Sequence, residues 1–509
     1  MPWMRRPDTR GVRRAGAAHG ARAAAPLAAA LLVSAGLTIV SLTPGEAHAA
    51  AGRAASADDF NGDGYADLVT AAPGATVSGK GQAGYVAVTY GSAKGLDPAH
   101  RKVVSRSTSG VPGSAAAKQR FGSTFSKGDL DGDGYSDLVI GSTPASAGSV
   151  VVWGSSSGLT GGTAVAGYGQ TPQMGDFDGD GKADLALFGD AKVEGDDPVQ
   201  QAANLWKGPV SRAGKPAAVL DFLDRSEWWG YNDDDAGCAT DDSCVNGPHS
   251  LSGPTTAESV GDVNGDRHDD IAVWAYEGDG VWGNHVLLGG AHGFRVSATL
   301  GDIGSVGGDG ATDIGDVDGD GYGDVVIGSD DDTGKVTVLY GSASGPSTGR
   351  VRTFDQTLPG FYGAQEEGDH VGSCVSVADV TGDGRAEIAL GISGEDFGGL
   401  ADAGSFALLR GTASGVTGEG SQVMQQNTAG VPGVAEKGDK FGAACALLDV
   451  NGDGHRDLAV SSTAENASAG AVWTLDGTGK GLAATRSTAF GPGDVGGPVS
   501  KALFGSFLR

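Results

Sequence analysis

The sequence predicts an all-β fold, a ring of seven four-stranded blades known as a β-propeller. A nine-residue segment rich in aspartate and glycine occurs seven times, first at residues 59–67 and last at residues 449–457. The copies begin on average 65 residues apart, a spacing that suits one four-stranded blade. Between the copies lie short β-forming runs separated by glycine turns, and helical periodicity is almost absent.

Each copy is predicted to bind a metal ion, because oxygen-bearing side chains at its positions 1, 3, 5 and 9 converge on one point. Calcium is held by six to eight oxygens at about 2.3–2.6 Å, whereas magnesium, the less favoured alternative, retains waters in an octahedron. Position 7 would offer its backbone carbonyl, which leaves its side chain free to vary. We therefore expect up to seven structural Ca²⁺ ions. The predicted ligands are Asp59, Asn61, Asp63, Tyr65, Asp67; Asp129, Asp131, Asp133, Tyr135, Asp137; Asp176, Asp178, Asp180, Lys182, Asp184; Asp262, Asn264, Asp266, His268, Asp270; Asp316, Asp318, Asp320, Tyr322, Asp324; Asp379, Thr381, Asp383, Arg385, Glu387; Asp449, Asn451, Asp453, His455 and Asp457.

The order of segments after each metal loop is constant. The closing carboxylate runs directly into hydrophobic β-formers, so the loop leads into a strand. An alternating strand follows, such as residues 83–90, and then a Gly-Ser-x-x-Gly turn, such as residues 91–96. An outer strand and a Phe-Gly strand lead to the next loop. Repeat 3 has no clear copy of the turn.

The two ends of the repeat region are complementary. The first loop lacks a preceding Phe-Gly strand, and the chain ends with such a strand at residues 504–508. We therefore expect the C-terminal strand to complete the blade that the N-terminal loop begins, which closes the ring and removes free sheet edges.

Residues 1–49 resemble a secretory signal peptide, followed by the propeller at residues 50–509. Arginines precede an apolar run at residues 27–42, and Ala47-His48-Ala49 fits a cleavage site. Export by the Sec or the twin-arginine route remains open, and an uncleaved anchor is a minor alternative. We expect a monomeric extracellular protein without a membrane span.

The chain of 509 residues has a formal net charge of −28, and loss of the signal peptide would bring it near −32. The seven loops hold 24 of the carboxylates, so metal sites explain most of this acidity. An acidic chain without a basic face argues against binding to nucleic acid.

An insertion at about residues 190–256 in repeat 3 is the most irregular part of the sequence. Its Trp228, Trp229 and Tyr231 could stack on sugar rings, or they could anchor the insertion to the propeller. Cys238 and Cys244 in this polar stretch are predicted to form a disulfide. Cys374 and Cys445 fall one residue out of register on equivalent strands, which favours buried free thiols over a bridge.

The Phe-Gly segments, the Ala72-Pro73-Gly74 type of segment and the aspartate loops resemble the FG-GAP repeats of the integrin alpha-subunit N-terminal propeller. The resemblance covers residues 50–509 and implies seven blades, with calcium loops that join the first and second strands of a blade. Unlike integrin chains, this sequence has the loop in every blade. Arg267 replaces a glycine, which predicts a strained or differently shaped loop, and Thr381 with Glu387 predicts a weaker site. Secreted bacterial FG-GAP proteins, some propeller lectins and the C-terminal part of glycosylphosphatidylinositol phospholipase D look similar too.

The favoured function is a calcium-binding extracellular module that binds or adheres to a protein or glycan ligand. A secreted hydrolase that uses the insertion or a propeller face is the alternative. Residues 154–158 match the Gly-x-Ser-x-Gly nucleophile elbow, but that elbow requires a strand-to-helix turn. Here the segment is one copy of the repeated hairpin, so no catalytic residue is predicted.

Overall fold

The computed structural model describes residues 58–194, 197–199, 201–223, 250–251, 254–278, 280–297, 311–329 and 334–509. The predicted signal peptide, the aromatic residues Trp228, Trp229 and Tyr231, and the Cys238–Cys244 pair lie outside these residues. Helical structure among the described residues is confined to a 3₁₀ turn at Ala145–Ala147 and a short segment at Glu465–Ser468.

Seven antiparallel sheets form the seven predicted blades, and in each the strands follow one another in chain order from the inner to the outer edge. Blade 3 also contains a separate hairpin, Lys192–Glu194 with Asp197–Val199, and a short strand, Ser250–Leu251, that pairs with its third strand, Gln201–Lys207. The strands are: in blade 1, β1 (Leu68–Ala72), β2 (Tyr85–Thr89) and β3 (Arg101–Val104); in blade 2, β4 (Phe125–Gly128), β5 (Asp137–Ile140), β6 (Ser149–Trp153) and β7 (Thr160–Val165); in blade 3, β8 (Gln170–Gly175), β9 (Asp184–Phe188), β10 (Lys192–Glu194), β11 (Asp197–Val199), β12 (Gln201–Lys207), β13 (Ala218–Leu220) and β14 (Ser250–Leu251); in blade 4, β15 (Thr255–Gly261), β16 (Asp270–Gly278), β17 (Val281–Leu288) and β18 (Arg295–Val296); in blade 5, β19 (Thr312–Gly315), β20 (Asp324–Ile327), β21 (Val336–Leu339) and β22 (Val351–Phe354); in blade 6, β23 (Val371–Ala378), β24 (Glu387–Ile392), β25 (Ser405–Arg410) and β26 (Thr417–Met424); in blade 7, β27 (Cys445–Leu448), β28 (Asp457–Ser462), β29 (Ala471–Thr478) and β30 (Gly481–Phe490).

The hydrophobic core is divided into seven clusters, and each cluster lies between two adjacent blades. One cluster joins Leu138 and Val150 of blade 2 to Val69 and Val86 of blade 1. The second and third strands of a blade therefore have neighbours on both faces, and all five residues of β1 and of β2 are buried. Strands buried on both faces are continuous apolar runs, which explains the weak alternation of the second strands.

The inner strand of blade 1 is supplied by the C-terminus, as the sequence predicts. Leu508 pairs with Thr70 of β1. The backbone N–H of Ala71 donates to the carbonyl of Phe507 at 2.9 Å, and the N–H of Gly505 donates to the carbonyl of Ala71 at 2.9 Å. The side chain of Phe504 is completely buried in the cluster between blades 7 and 1. The ring is therefore closed by residues from the two ends of the propeller.

The Phe-Gly segments at residues 121–122, 441–442 and 504–505 lie in turns or an isolated bridge ahead of the inner strand, which differs from the strand that the sequence predicts, whereas Val371-Gly372 of blade 6 lies in β23, as predicted. Phe121 is fully buried, and Gly122 has a left-handed φ of 87°. A Cβ atom at Gly122 would lie 2.5 Å from the Cγ1 of Val86. Glycine is thus required because the backbone bends against the neighbouring blade before β4 begins.

The prediction of free thiols at Cys374 and Cys445 is wrong, because these residues form a disulfide. Their Cα atoms are 5.8 Å apart, within the usual range for a bridge. Cys374 lies on β23 and Cys445 on β27, the inner strands of adjacent blades. Since these inner strands lie side by side at the centre of the ring, an offset of one residue does not separate the two sulfur atoms.

We expect the deletion of residues 503–509 to destabilise the entire propeller, because it exposes an edge of β1 and empties the pocket of Phe504. The milder substitution Phe504→Ala should lower the free energy of unfolding by about 3–5 kcal/mol. Thermal melting of both variants, with Val499→Ala at a half-exposed site as the control, measures the effect. A truncated protein that melts like the full-length chain would contradict closure.

Candidate metal centres

The seven loops join the first strand of each blade to the second. In blade 2, for example, the loop begins after Gly128 at the end of β4 and ends at Asp137, the first residue of β5. The same position in every blade brings all seven loops to one face of the ring. The predicted ligand residues of each loop are therefore grouped locally, with one group for each blade.

The aspartate at position 1 organises the backbone of its loop. One carboxylate oxygen of Asp59 accepts a hydrogen bond from the N–H of Gly62 at 2.6 Å, and the other accepts one from Gly64 at 2.8 Å. The bond from the position 6 N–H to the position 1 carboxylate is present in all seven loops. Position 6 has a left-handed φ of 90° in this loop, which glycine adopts at least cost.

The carboxylate at position 9 is buried and ties the loop to the turn between the third and fourth strands. Asp67 is completely buried; it accepts hydrogen bonds from the N–H of Phe60 and from the N–H of Gly91, both at 2.9 Å. The bond from the glycine of the turn recurs in six blades, including Gly208 in blade 3. The turn that repeat 3 lacks in sequence is therefore present in the structure, beginning at Gly208.

Burial raises the pKa of these closing carboxyl groups. The pKa of Asp67 is raised to about 8, and the aspartates at position 9 in five further loops have pKa values raised to about 7. The first cause in each is the loss of hydration, and the nearby carboxylates add to it. Without a compensating cation, the ionised form of this group is unfavourable in the fold.

Three loops bring three acidic oxygens within 4.8 Å of one another, which suits a single metal ion. In the loops of blades 2 and 3, one oxygen of the position 3 aspartate, Oδ1 of Asp131 or of Asp178, is buried without a hydrogen-bond partner. A buried anionic oxygen of this kind is costly unless a cation or donor satisfies it. The donor set, composed of carboxylate oxygens, fits a hard cation. The clusters are Asp129, Asp131 and Asp137; Asp176, Asp178 and Asp184; and Asp316, Asp318 and Asp320.

Three other loops have asparagine at position 3 and use its amide within the loop. The Nδ2 of Asn61 donates to Asp63 at 2.9 Å, and that of Asn264 donates to Asp266 at 3.0 Å. The Nδ2 of Asn451 donates instead to Asp457 at 3.1 Å. The amide oxygen therefore remains the side-chain atom that position 3 can offer to a metal.

The two irregular loops keep the common backbone path. Arg267 adopts a left-handed φ of 70°, and its N–H donates to Asp262 at 2.9 Å, so this loop is strained but not reshaped. In blade 6, Glu387 accepts a hydrogen bond from the N–H of Val380 at 3.0 Å. Its other oxygen accepts a bond from the Thr381 hydroxyl at 3.3 Å and lies near Arg410.

Adjacent loops are bonded to each other through the backbone. The N–H at position 8 of one loop donates to the carbonyl at position 1 of the preceding loop, at 2.8–3.2 Å, in five of the joints between blades. One of these bonds, from Ala66 to Asp449, joins the first loop to the last. The loops thus form a belt around the ring, linked by these bonds at five joints. The pairs are Ala66 with Asp449, Ser136 with Asp59, Asp269 with Asp176, Gly323 with Asp262, and Ala386 with Asp316.

The side chain at position 7 has a packing role that the sequence prediction missed. A Cβ atom at Gly62, position 4 of the first loop, would lie 2.6 Å from the ring of Tyr135, position 7 of the second loop. The ring of Tyr135 therefore covers the preceding loop at its glycine. The signal for this contact in the sequence is that most side chains at position 7 are aromatic or long. The same pairing occurs between Gly179 and His268, Gly265 and Tyr322, Gly319 and Arg385, and Gly382 and His455.

Three segments of the chain, in blades 1, 2 and 7, match the FG-GAP repeat: residues 51–89, 121–153 and 441–475. The propeller carries FG-GAP repeats. Over 97 residues it is 35% identical to phosphatidylinositol-glycan-specific phospholipase D of Rattus norvegicus, covering 19% of this chain and 11% of that protein. Over 105 residues it is 38% identical to integrin alpha-PS5 of Drosophila melanogaster, covering 20% of this chain and 10% of that protein.

The chain therefore spans about a tenth of the length of these curated relatives. Among solved structures, AofleA from Arthrobotrys oligospora is 10% identical, with a TM-score of 0.37 over 74% of this chain and 87% of that chain. The integrin-like nature of the FG-GAP propeller rests on its repeats and on its seven blades.

The centre of the FG-GAP propeller contains a cavity of about 590 Å³, lined by polar and apolar residues of the inner strands. Lys127 pairs with Asp58 across 2.8 Å. Arg509 reaches from blade 1 to blade 4, where it donates to the carbonyl of Glu258 at 2.6 Å. Burial lowers the pKa of both Lys127 and Arg509 and raises the pKa of Asp313. The Lys127–Asp58 ion pair therefore joins blade 2 to blade 1, and the side chain of Arg509 joins blade 1 to blade 4 across the channel.

Ser156, the serine of the elbow-like segment, is exposed at the tip of the hairpin between β6 and β7. It therefore lies in a strand-to-strand turn, as the sequence comparison among repeats predicts. Within the described ranges, no helix is long and apolar enough to cross a membrane.

The raised pKa values predict a pH dependence for the metal-free propeller. A carboxyl group with a pKa near 4 when unfolded and about 7–8 when folded stabilises the fold while it is protonated. That contribution is lost as the pH rises through 7–8, so the melting temperature in metal-free buffer should fall from pH 5.5 to pH 8.5. A melting temperature that rises over this interval would argue against buried, uncompensated carboxylates.

Proposed function

We propose that this FG-GAP propeller is a secreted, calcium-stabilised module that binds an extracellular protein or glycan ligand. The observation that supports this proposal most directly is the belt of seven loops. Three of these loops bring three carboxylate oxygens within 4.8 Å of one another, and in two of the three the position 3 aspartate has a buried oxygen without a hydrogen-bond partner. A rigid ring of this kind provides a scaffold for binding segments on its loops.

In this proposal the role of calcium is structural. The residues at positions 1, 3, 5 and 9 would hold it, with the position 7 carbonyl, and the ion would neutralise carboxylates that lie close together. The protein itself sets the shape of the loop, because position 1 fixes the loop backbone and position 9 connects the loop to the turn of the same blade. Binding only to the folded state raises its stability by mass action.

Secretion is supported by the sequence of residues 1–49, with its arginines, apolar run and cleavage site. The disulfide between Cys374 and Cys445 agrees with an oxidising compartment. Both features support the proposal that the mature protein is extracellular.

The ligand site is proposed in the blade 3 insertion. The described part of blade 3 ends at Leu223, which bridges to Phe294 of blade 4, and resumes at β14. The intervening residues include the aromatic candidates Trp228, Trp229 and Tyr231. Nothing in the described residues favours the alternative of a hydrolase, since the elbow-like serine lies in an ordinary hairpin.

Calcium should raise the melting temperature of the purified protein, and chelation should lower it. At a free concentration of 100 times Kd, each site adds about 2.7 kcal/mol to the free energy of unfolding. Melting is followed by circular dichroism with calcium, with magnesium and with a chelator. Asp129→Asn should reduce the calcium effect, whereas Asp97→Asn, outside the loops, should not. A melting temperature that calcium leaves unchanged would exclude the structural role.

If the ligand is a glycan, Trp228→Ala and Trp229→Ala should each weaken binding by at least tenfold, because stacking area is lost. A glycan array identifies the sugar, and titration calorimetry measures the loss. Tyr362→Ala removes an exposed aromatic ring elsewhere on the propeller and serves as the control. Absence of binding to any glycan would leave a protein ligand, to be sought by pull-down from culture supernatant.

A further inference from the structure

The loop of blade 2 receives a basic side chain from the next blade. Arg212 lies on the turn after β12 of blade 3, and its Nε donates to Oδ2 of Asp131 at 2.5 Å. Its Nη2 donates to Asp133 at 2.6 Å and to the carbonyl of Gly154 at 3.0 Å. The guanidinium also lies over the ring of Trp153, 5.7 Å from its centroid. Arg212 therefore contacts positions 3 and 5 of the same metal loop.

The turn that carries Arg212 is itself held in place. The N–H of Val210 donates to the carbonyl of Leu130, position 2 of the loop, at 2.7 Å. The hydroxyl of Thr163 donates to the carbonyl of Arg212 at 2.6 Å, and Trp153 donates to the same hydroxyl at 2.9 Å. The guanidinium is thus presented to the loop by a fixed backbone, so it loses little conformational freedom when it contacts Asp131.

The two oxygens of Asp131 have different environments. Oδ2 is bonded to Arg212, whereas Oδ1 is buried without a hydrogen-bond partner. Asp131 belongs to the cluster with Asp129 and Asp137, whose ligand atoms lie within 4.8 Å of one another. With Oδ2 held by Arg212, rotation of the carboxylate is restricted and Oδ1 remains available to the cluster.

The loop of blade 3 has the same arrangement with a different basic residue. Lys207, at the end of β12, contacts Oδ2 of Asp178 and lies 3.1 Å from Asp180. The side chain of Asp178 is only 4% exposed, and its Oδ1 again has no partner. This buried, unsatisfied oxygen is an independent indication that a cation belongs at the loop centre.

The loop of blade 5 repeats the pairing through Arg350, which contacts Asp318 and lies over the ring of Tyr340 at 4.1 Å. Each of the three loops with aspartate at position 3 therefore has a basic residue in contact with that aspartate. The loops with asparagine there use its own amide to bond to a carboxylate within the loop. A basic residue and an amide are therefore two ways to restrain the position 3 side chain.

We propose that Arg212, Lys207 and Arg350 are positioning residues for calcium, each fixing one oxygen of the position 3 aspartate so that the other faces the ion. This inference rests on the proposed calcium binding. Because Arg212 belongs to blade 3, calcium binding in the loop of blade 2 should depend on the contact between these two blades. Outer-shell partners of metal ligands commonly change metal affinity by about 10–100-fold.

If the basic group instead competes with calcium for the aspartate, its removal should change calcium affinity in the opposite direction. Removal of a competitor would tighten binding, whereas removal of a positioning residue would weaken it. A purely structural ion pair would change the melting temperature of the chelated protein and leave calcium affinity unaltered. Calcium affinity therefore separates these roles.

The test compares the full propeller with its Arg212→Gln and Lys207→Gln variants, using titration calorimetry and equilibrium dialysis with calcium alone. We expect one site in each variant to weaken by about tenfold or more, while the other sites are unchanged. Arg101→Gln is the matched control, since Arg101 donates to the backbone carbonyls of Val495 and Ala99. Melting in chelator verifies that each variant is folded.

A second comparison places Arg212→Gln in an Asp131→Asn background. If Arg212 acts through Asp131, the double variant should bind calcium no more weakly than Asp131→Asn alone. Unchanged or tighter binding by the folded Arg212→Gln and Lys207→Gln variants would overturn the positioning role. A parent protein that binds no calcium would instead overturn the proposed function, so the two failures are distinguishable.

Discussion

The architecture depends on one buried carboxylate at the end of each of the seven aspartate-rich loops. The position 9 carboxylate accepts a hydrogen bond from position 2 of its own loop in six blades. In six blades it also accepts one from the glycine that opens the turn between the third and fourth strands. This carboxylate therefore links the loop between the first and second strands to the turn between the third and fourth strands, on the same face of the blade. The burial that raises its pKa follows from this location between two turns. This acidic group connects two turns, and its ionised form is favourable only beside a positive charge. Every blade therefore has the same need for a compensating charge at its loop.

The belt of loops extends this local requirement around the ring. Backbone bonds from position 8 to position 1 join neighbouring loops, and the side chain at position 7 packs against the preceding glycine. At the joint between blades 2 and 3, Gly132 lies near Pro209 and the loop contacts Arg212. This joint differs because blade 3 opens its turn with Gly208-Pro209 in place of Gly-Ser.

Much of the fold could be predicted from the sequence, because the repeat itself specifies the period, the loop position and the closure of the ring. Closure was predictable since residues 504–508 form a segment without a following loop. The candidate ligand residues could be grouped by spacing alone, whereas Arg212 is 81 residues from Asp131 in sequence and no local pattern connects them. The disulfide between Cys374 and Cys445 was missed because register within repeats does not describe how inner strands approach across a joint. The packing at position 7 was missed for the same reason, since it connects two different loops.

The division of the core into seven clusters has a consequence for how such a protein can change. Each cluster is composed of residues from two blades, so an isolated blade would leave both of its apolar faces exposed to water. A blade is thus a unit of sequence but not a unit of folding. The number of blades is set by the need for the last face to meet the first, and length can vary freely only in segments that leave the ring. Within the predicted blade 3 insertion, β12 and β13 are strands of the ring itself, and Ala203 and Leu205 of β12 are buried against blade 4, so these residues are bound by the same requirement.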